Sequence, residues 1–246
     1  MSDAAQLSSF SSVETFKQDV IDGLLDTPKR LPCKYFYDQR GSALFDQICE
    51  LDEYYLTRTE QAIMNRYASE MGKEIGRGTM LVEYGSGSSV KTRILLESLI
   101  EPAAYVPVDI SHGHLHQVAD QLRSEFTELE ILPVTADFTT DFELPQSAQR
   151  ATHAAVYFPG STIGNFEDDD VEQLLLSIAR VCGAHGGLLI GIDLVKENEI
   201  LESAYNDRHG VTAEFNLNLL HRIDRELDSD IDVDGFEHVA FFNEQP

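Results

Sequence analysis

Glu83, Gly85, Gly87 and Asp109 are the residues whose types and spacing first suggest chemistry. An apolar run, Met80-Leu81-Val82, ends on Glu83 and enters the turn Gly85-Ser86-Gly87. A second apolar run, Tyr105, Val106 and Val108, ends on Asp109, and between the two Ile94, Leu95 and Leu99 recur at helical spacing. The pattern predicts strand, tight turn, helix, strand, with an acid at the carboxyl tip of each strand. In a parallel sheet those tips are where a nucleotide-like ligand sits. Gly85 and Gly87 let the backbone close on such a ligand, with Ser86 between them, and Asp109 is placed to accept hydrogen bonds from ribose hydroxyls. A dinucleotide fingerprint G-x-G-x-x-G needs glycine where Val90 stands, because pyrophosphate must reach the helix N-terminus. Glu83, ahead of the turn, favours the cationic sulfonium and ammonium of S-adenosylmethionine. A nicotinamide site and a ligand-free βαβ unit remain the alternatives.

Two further strand tips carry candidate residues. ILPVTADF predicts a third strand ending on Asp137-Phe138, where the carboxylate takes an adenine amino group and the ring stacks. The alternative is an acid that caps the next turn. Ala154 to Phe158 predict a fourth strand, broken by Pro159-Gly160, with Ile163-Gly164-Asn165-Phe166 at its tip. That tip offers neutral donors and acceptors around a cationic centre. No Ser/His/Asp or Cys/His set accompanies it, so the chemistry expected is positioning rather than a dedicated catalytic group. Cys33, Cys49 and Cys182 lack metal-ligand spacing and read as free thiols in a reducing compartment; no metal is expected.

These tips need a scaffold, and the remaining chain supplies one. With 246 residues it can bury a large core, and a net charge of -25 opposes nucleic acid and anionic membrane surfaces. The chain reads as soluble and cytoplasmic. Residues 1–10 read as a disordered lead-in, followed by the capping box Ser11-x-x-Glu14 and a helical stripe of Val13, Phe16, Val20 and Leu24 that stops at Pro28. Tyr35, Phe36, Tyr37, Tyr54 and Tyr55 crowd the next segment, either as a helical cap packing its aromatics or as a lid reaching into a ligand site. Thr57-x-x-Glu60 predicts another helix start, with Ile63, Met64, Tyr67, Met71 and Ile75 inward. Helices are predicted over 112–125 and 169–182, and a fifth strand over 188–195, buried on both faces. Beyond it Ile200, Ala204, Phe215, Leu219 and Ile223 predict a helical region. The fold class is α/β, a doubly wound Rossmann-like sheet with a second helical domain. The expected boundaries are 11–60 for an N-terminal helical segment, 61–196 for the sheet domain and 197–246 for the helical insertion.

The segments KYFYDQRGSALFDQICELDEYYLTRTE, EYGSGSSVKTR, PGSTIGNF and DLVKENEILESAYNDRHGVTAEFNLNLL resemble the histidine-specific N-alpha-methyltransferases of ergothioneine biosynthesis, from about Leu31 to Pro246. The resemblance implies a class I methyltransferase that uses S-adenosylmethionine to methylate the α-amino group of L-histidine, up to the trimethylated betaine, hercynine. It assigns the cofactor to Tyr37, Gly85, Lys91, Asp109, Asp137 and Phe138, and the amino acid to Tyr54, Gly160, Asn165 and Tyr205. Asn165 and Tyr205 would hold the substrate carboxylate and amine, and Tyr54 would sit near the imidazole. Without the resemblance Lys91 reads as a solvated lysine. The family pattern also implies closing strands and an imidazole-gripping segment beyond Pro246, expected to be missing from this chain. The same chemistry on another amino acid or an indole amine, or a cofactor-binding pseudoenzyme, are the alternatives. A monomer is expected of full-length relatives, and self-association of this shorter chain.

Overall fold

A computed structural model describes residues 3–87 and 90–243. The chain divides into two units, one of Met1–Ile48 with Asn198–Pro246 and one of Cys49–Glu197. In chain order the elements are α1 (Asp3–Leu25), α2 (Gln39–Glu50), α3 (Tyr55–Ile75), β1 (Thr79–Tyr84), α4 (Val90–Ser98), β2 (Ala104–Asp109), α5 (His112–Glu125), β3 (Val134–Thr135), β4 (His153–Phe158), α6 (Asp168–Cys182), β5 (Gly187–Ile190), α7 (Asn198–Tyr205) and α8 (Val211–Leu227).

The second unit is built on a parallel sheet of order β3-β2-β1-β4-β5. Alternation along the strands divides the core. Leu81, Tyr105, Ala155 and Tyr157 face Met64, Leu95, Leu96, Val118 and Leu122 on one side. Val82, Tyr84, Val106, Val108, Val156 and Phe158 face Leu174 and Ile178 on the other. β1 is covered on both faces, which explains its complete burial, Thr79 and Glu83 included. The chain leaves β1 for β2 on one side and later returns as β4 on the other. That reversal opens a crevice at the carboxyl tips of β1, β2 and β4.

Several expectations change here. The third strand is two residues long, preceded by a bridge from Ile131 to Tyr105, because Pro107 of β2 stands where the next donor to the Leu132 carbonyl would be and has no N–H. The fifth strand stops at Ile190 and is only half-buried, so burial on both faces over 188–195 is corrected. Its partner β4 ends at Phe158, opposite Ile190, and turns away at Pro159-Gly160. Ile192, Leu194 and Val195 then lie 62%, 73% and 81% exposed. In α3 the inward face is Met64, Ala68 and Gly72, with Met71 and Ile75 beside them; Ile63 and Tyr67 face outward. Gly72 is required, since a Cβ there would lie 2.1 Å from the Ser98 carbonyl oxygen.

The first unit has its own core of Phe16, Val20, Tyr35, Leu219 and Ile223. Asp38 fastens it by accepting from the Gly41 N–H at 2.7 Å, Asn218 Nδ2 at 2.8 Å and Arg225 Nη2 at 2.7 Å. Helix α1 starts at Asp3, so the segment read as a lead-in is helical from there and the Ser11 capping box falls inside the helix; Met1 and Ser2 lie outside the described residues. The stripe on α1 is narrower than expected, with Val13 exposed. The unit boundary after Ile48 gives Tyr54, Tyr55 and all of α3 to the sheet unit, where the sequence suggested a boundary after residue 60.

Candidate cofactor and substrate site

The glycine turn after β1 requires its glycines. Gly85 has φ +72° and Gly87 φ +38°, both in the left-handed region, and no atom lies within 4 Å of where a Gly85 Cβ would stand. The Gly85 N–H donates to the Val108 carbonyl at 2.9 Å, tying the turn to β2. Ser86 is 2% exposed, and its Oγ has no hydrogen-bond partner among the described residues. Ser88 and Ser89 lie outside the described residues.

Glu83 does not face a ligand, which corrects its reading as a partner for a cationic cofactor. Alternation turns it to the same side as Leu81, where it is buried beneath α4. It accepts from Thr92 Oγ1 at 2.9 and 2.8 Å and from the Tyr105 hydroxyl at 2.6 Å. Burial raises its carboxyl to about 7, against the opposing hydrogen bonds from Tyr105 and Thr92. Glu83 is thus a buried brace between β1, β2 and α4.

Asp109 ends β2 with its Oδ1 accepting the Ser111 N–H at 2.8 Å. Burial holds its carboxyl above the ordinary range, against the Ser111 N–H and the nearby His114. His114 Nε2 lies 3.2 Å from the Gly87 carbonyl oxygen, joining the start of α5 to the glycine turn. Asp137 lies two residues past β3, and its carboxylate accepts from both the N–H and hydroxyl of Thr139. That contact is the turn-capping alternative. Phe138 stacks on Tyr84 with ring centroids 5.1 Å apart and meets Phe158 edge-on at 5.6 Å, so part of its ring belongs to the core.

At the β4 tip, Gly160 has φ +78° and donates its N–H to both carboxylate oxygens of Glu60, each at 3.0 Å. Lys91 of α4 also pairs with Glu60. Lys91 is therefore not a freely solvated lysine, and the structure brings it and Gly160 together on one acid. Glu60 was missed because Thr57-x-x-Glu60 reads as a capping box; α3 starts earlier, at Tyr55, and the side chain turns outward to a residue 100 positions away. Beyond Glu60, Gly191 passes close to the carboxylate: a Cβ there would lie 2.2 Å from Glu60 Oε1, so a side chain at this position would displace Glu60. A second cluster forms where β5 ends. Asp193 accepts from the Tyr55 hydroxyl and from Lys196, and its own N–H donates to Ser161 Oγ at 2.9 Å. Nothing local in the sequence announces either cluster.

The remaining candidates are dispersed. Asn165 closes a short 3-10 helix, Thr162–Asn165, and is exposed. Tyr54 is buried just ahead of α3. Tyr37 and Tyr205 belong to the helical unit. Tyr37 packs edge-on against Phe45 at 5.5 Å and Phe215 at 5.6 Å, while Tyr205 ends α7 half-exposed, its carbonyl accepting from His238 at 2.8 Å.

The family model for SAM-dependent histidine-specific methyltransferases matches residues 16–246. The chain belongs to this family. It is 43% identical over 231 residues to a histidine N-alpha-methyltransferase of Mycobacterium tuberculosis, covering 92% of this chain and 70% of that protein. A Mycolicibacterium smegmatis protein of the same name is 41% identical over 244 residues, 98% of this chain and 74% of the relative. A Neurospora crassa protein named ergothioneine biosynthesis protein 1 is 33% identical over 215 residues, 85% of this chain and 24% of its own length. As a member of the histidine-specific methyltransferase family the chain is an enzyme, its cofactor is S-adenosylmethionine, and its substrate is a small molecule, an amino acid. The residues present fit that cofactor. The glycine turn is open, the buried Ser86 hydroxyl lacks a partner among the described residues, and the Asp109 carboxylate stands at the adjoining tip. No helix of the described residues is long and apolar enough to cross a membrane.

Proposed function

We propose that this chain transfers methyl groups to the α-amino group of L-histidine, up to the trimethylated betaine, using the crevice at the carboxyl tips of β1, β2 and β4. The observation that carries the substrate is the extent of the similarity: 43% identity to a histidine N-alpha-methyltransferase across 92% of the chain. In this reading the turn Gly85-Ser86-Gly87 and Lys91 receive the amino-acid end of the cofactor. Asp109 accepts from the ribose, and Asp137 with Phe138 borders the adenine. Gly160, Asn165 and Tyr54 border the amino acid. Tyr37, toward the cofactor, and Tyr205, toward the substrate, are carried over from the family resemblance.

When bound, S-adenosylmethionine supplies an electrophilic methyl group on a sulfonium. The work left to the chain is to align an amine lone pair with that methyl and to exclude water, an effect worth up to about 7–11 kcal/mol in well-oriented systems. Asn165 can donate to or accept from the substrate through its amide and fix the direction of its lone pair. The amine attacks in its neutral form, and its proton leaves to solvent between turns.

The test is mass spectrometry of histidine, tryptophan and other amino acids incubated with the protein and methyl-deuterated S-adenosylmethionine. Sequential labelled methyl groups on histidine nitrogen are expected, and labelling confined to another amine would replace histidine as the substrate. Asn165→Ala should weaken histidine binding about tenfold while leaving S-adenosylhomocysteine affinity within about twofold. An equal loss of both affinities would remove Asn165 from the substrate side.

A further inference from the structure

Glu60 stands apart among the groups not used above, because one carboxylate holds a lysine of α4 and the Gly160 loop, which the proposed function gives to different ligands. It accepts the Gly160 N–H at 3.0 Å through each oxygen, and it pairs with Lys91. Its side chain is 16% exposed and that of Lys91 22%, so the pair is largely shielded from water. Gly191 crosses so closely over the carboxylate that a methyl group there would collide with it. We infer that Glu60 is a positioning residue that sets the cofactor-side lysine and the substrate-side Gly160 loop against each other. The inference rests on the proposed function for which ligand lies on which side.

The physical argument has two parts. Lysine is a point charge on a flexible four-carbon stem, and its ammonium has three donors. Pairing with Glu60 fixes the stem while leaving donors free for an anionic ligand group. On the other side, Gly160 and Ser161 both hold left-handed backbone conformations, with φ +78° and +57°. A charge-assisted hydrogen bond from the Gly160 N–H anchors that strained turn. Glutamine at position 60 keeps the volume and one acceptor oxygen but loses the charge that holds Lys91, and because the Gly160 N–H contacts both oxygens, the amide donor faces that N–H in either orientation. Both anchors therefore weaken without a cavity being opened.

The experiment uses the whole chain, Glu60→Gln, Lys91→Met and the double variant, with amide hydrogen exchange in the free protein and calorimetric titration of S-adenosylhomocysteine and of histidine. In the free protein, Glu60→Gln should speed exchange of the Gly160 amide about tenfold with no comparable change in the β1 amides. S-adenosylhomocysteine should bind about tenfold more weakly to Glu60→Gln, and the double variant should match Lys91→Met within about twofold, because the two residues act as one unit. Histidine affinity should fall in Glu60→Gln and hold in Lys91→Met. Unchanged Gly160 exchange with unchanged affinities would overturn the inference, and so would fully additive losses for S-adenosylhomocysteine. Failure of the unaltered chain to bind histidine would count against the substrate reading alone, since the exchange and S-adenosylhomocysteine measurements read Glu60 without it.

Discussion

At the scale of single residues, the acids at the strand tips have diverged in role. Asp109 lies at a tip beside the open glycine turn, whereas Glu83 is folded under α4 and Asp137 caps its own turn. Their positions at strand ends were legible from the sequence. What they touch was not, because Thr92 and Tyr105 meet Glu83 through tertiary packing. The same limit hid Glu60, whose partners lie 31 and 100 positions away. Glu83 gives a test by pH. Its folded carboxyl is raised from 4.5 to about 7, so the folded state binds more protons than the unfolded one between those values. Its contribution to stability is fully present below 4.5 and is lost as pH rises through 7, by up to about 3 kcal/mol. Glu83→Gln should flatten that part of the stability profile and should be at least as stable as the unaltered chain at pH 8. Denaturant unfolding at several pH values reads both, and an unchanged slope between pH 5 and 7 would show that Glu83 does not titrate there.

At the scale of elements, β1, β2, β4, α5 and α6 were legible because each carries a clean apolar pattern between identifiable breaks. β3 and β5 came out shorter than their apolar runs, since Pro107 of β2 withholds a donor from one and the end of β4 removes the other's partner. Helix α8 shows an end that pattern alone does not reveal. Asp207, 7% exposed, accepts the N–H groups of His209 and Val211 at 3.0 Å and of Thr212 at 2.7 Å. Burial works to raise its carboxyl, but those N–H groups more than offset it and hold it below the ordinary range. The stability it provides is therefore present above the unfolded value near 3.8 and is lost as pH falls through the lower folded one. Asp207→Ala should cost about 2 kcal/mol at neutral pH, by removal of a cap that leaves buried donors unpaired. Chemical denaturation measures it, and a loss below about 0.5 kcal/mol would mean that water replaces the carboxylate.

At the scale of the whole molecule, two units with separate cores share a chain of net charge -25. Like charge at that density opposes compaction, and salt screens it. Raising ionic strength from about 0.01 M to about 0.15 M shortens the screening length from about 30 Å to about 8 Å. The melting temperature should rise by several degrees over that range in calorimetric scans. A fall would mean that ion pairs such as Arg93–Glu125 outweigh the net repulsion. The central claim, that the carboxyl tips of β1 and β2 hold the cofactor, is tested most directly by titrating S-adenosylhomocysteine into the unaltered chain and into Asp109→Ala. Loss of the carboxylate proposed to accept ribose hydrogen bonds should weaken binding by about tenfold or more, with the unfolding transition preserved. Equal affinity in a folded Asp109→Ala protein would contradict the account and move the cofactor away from these tips.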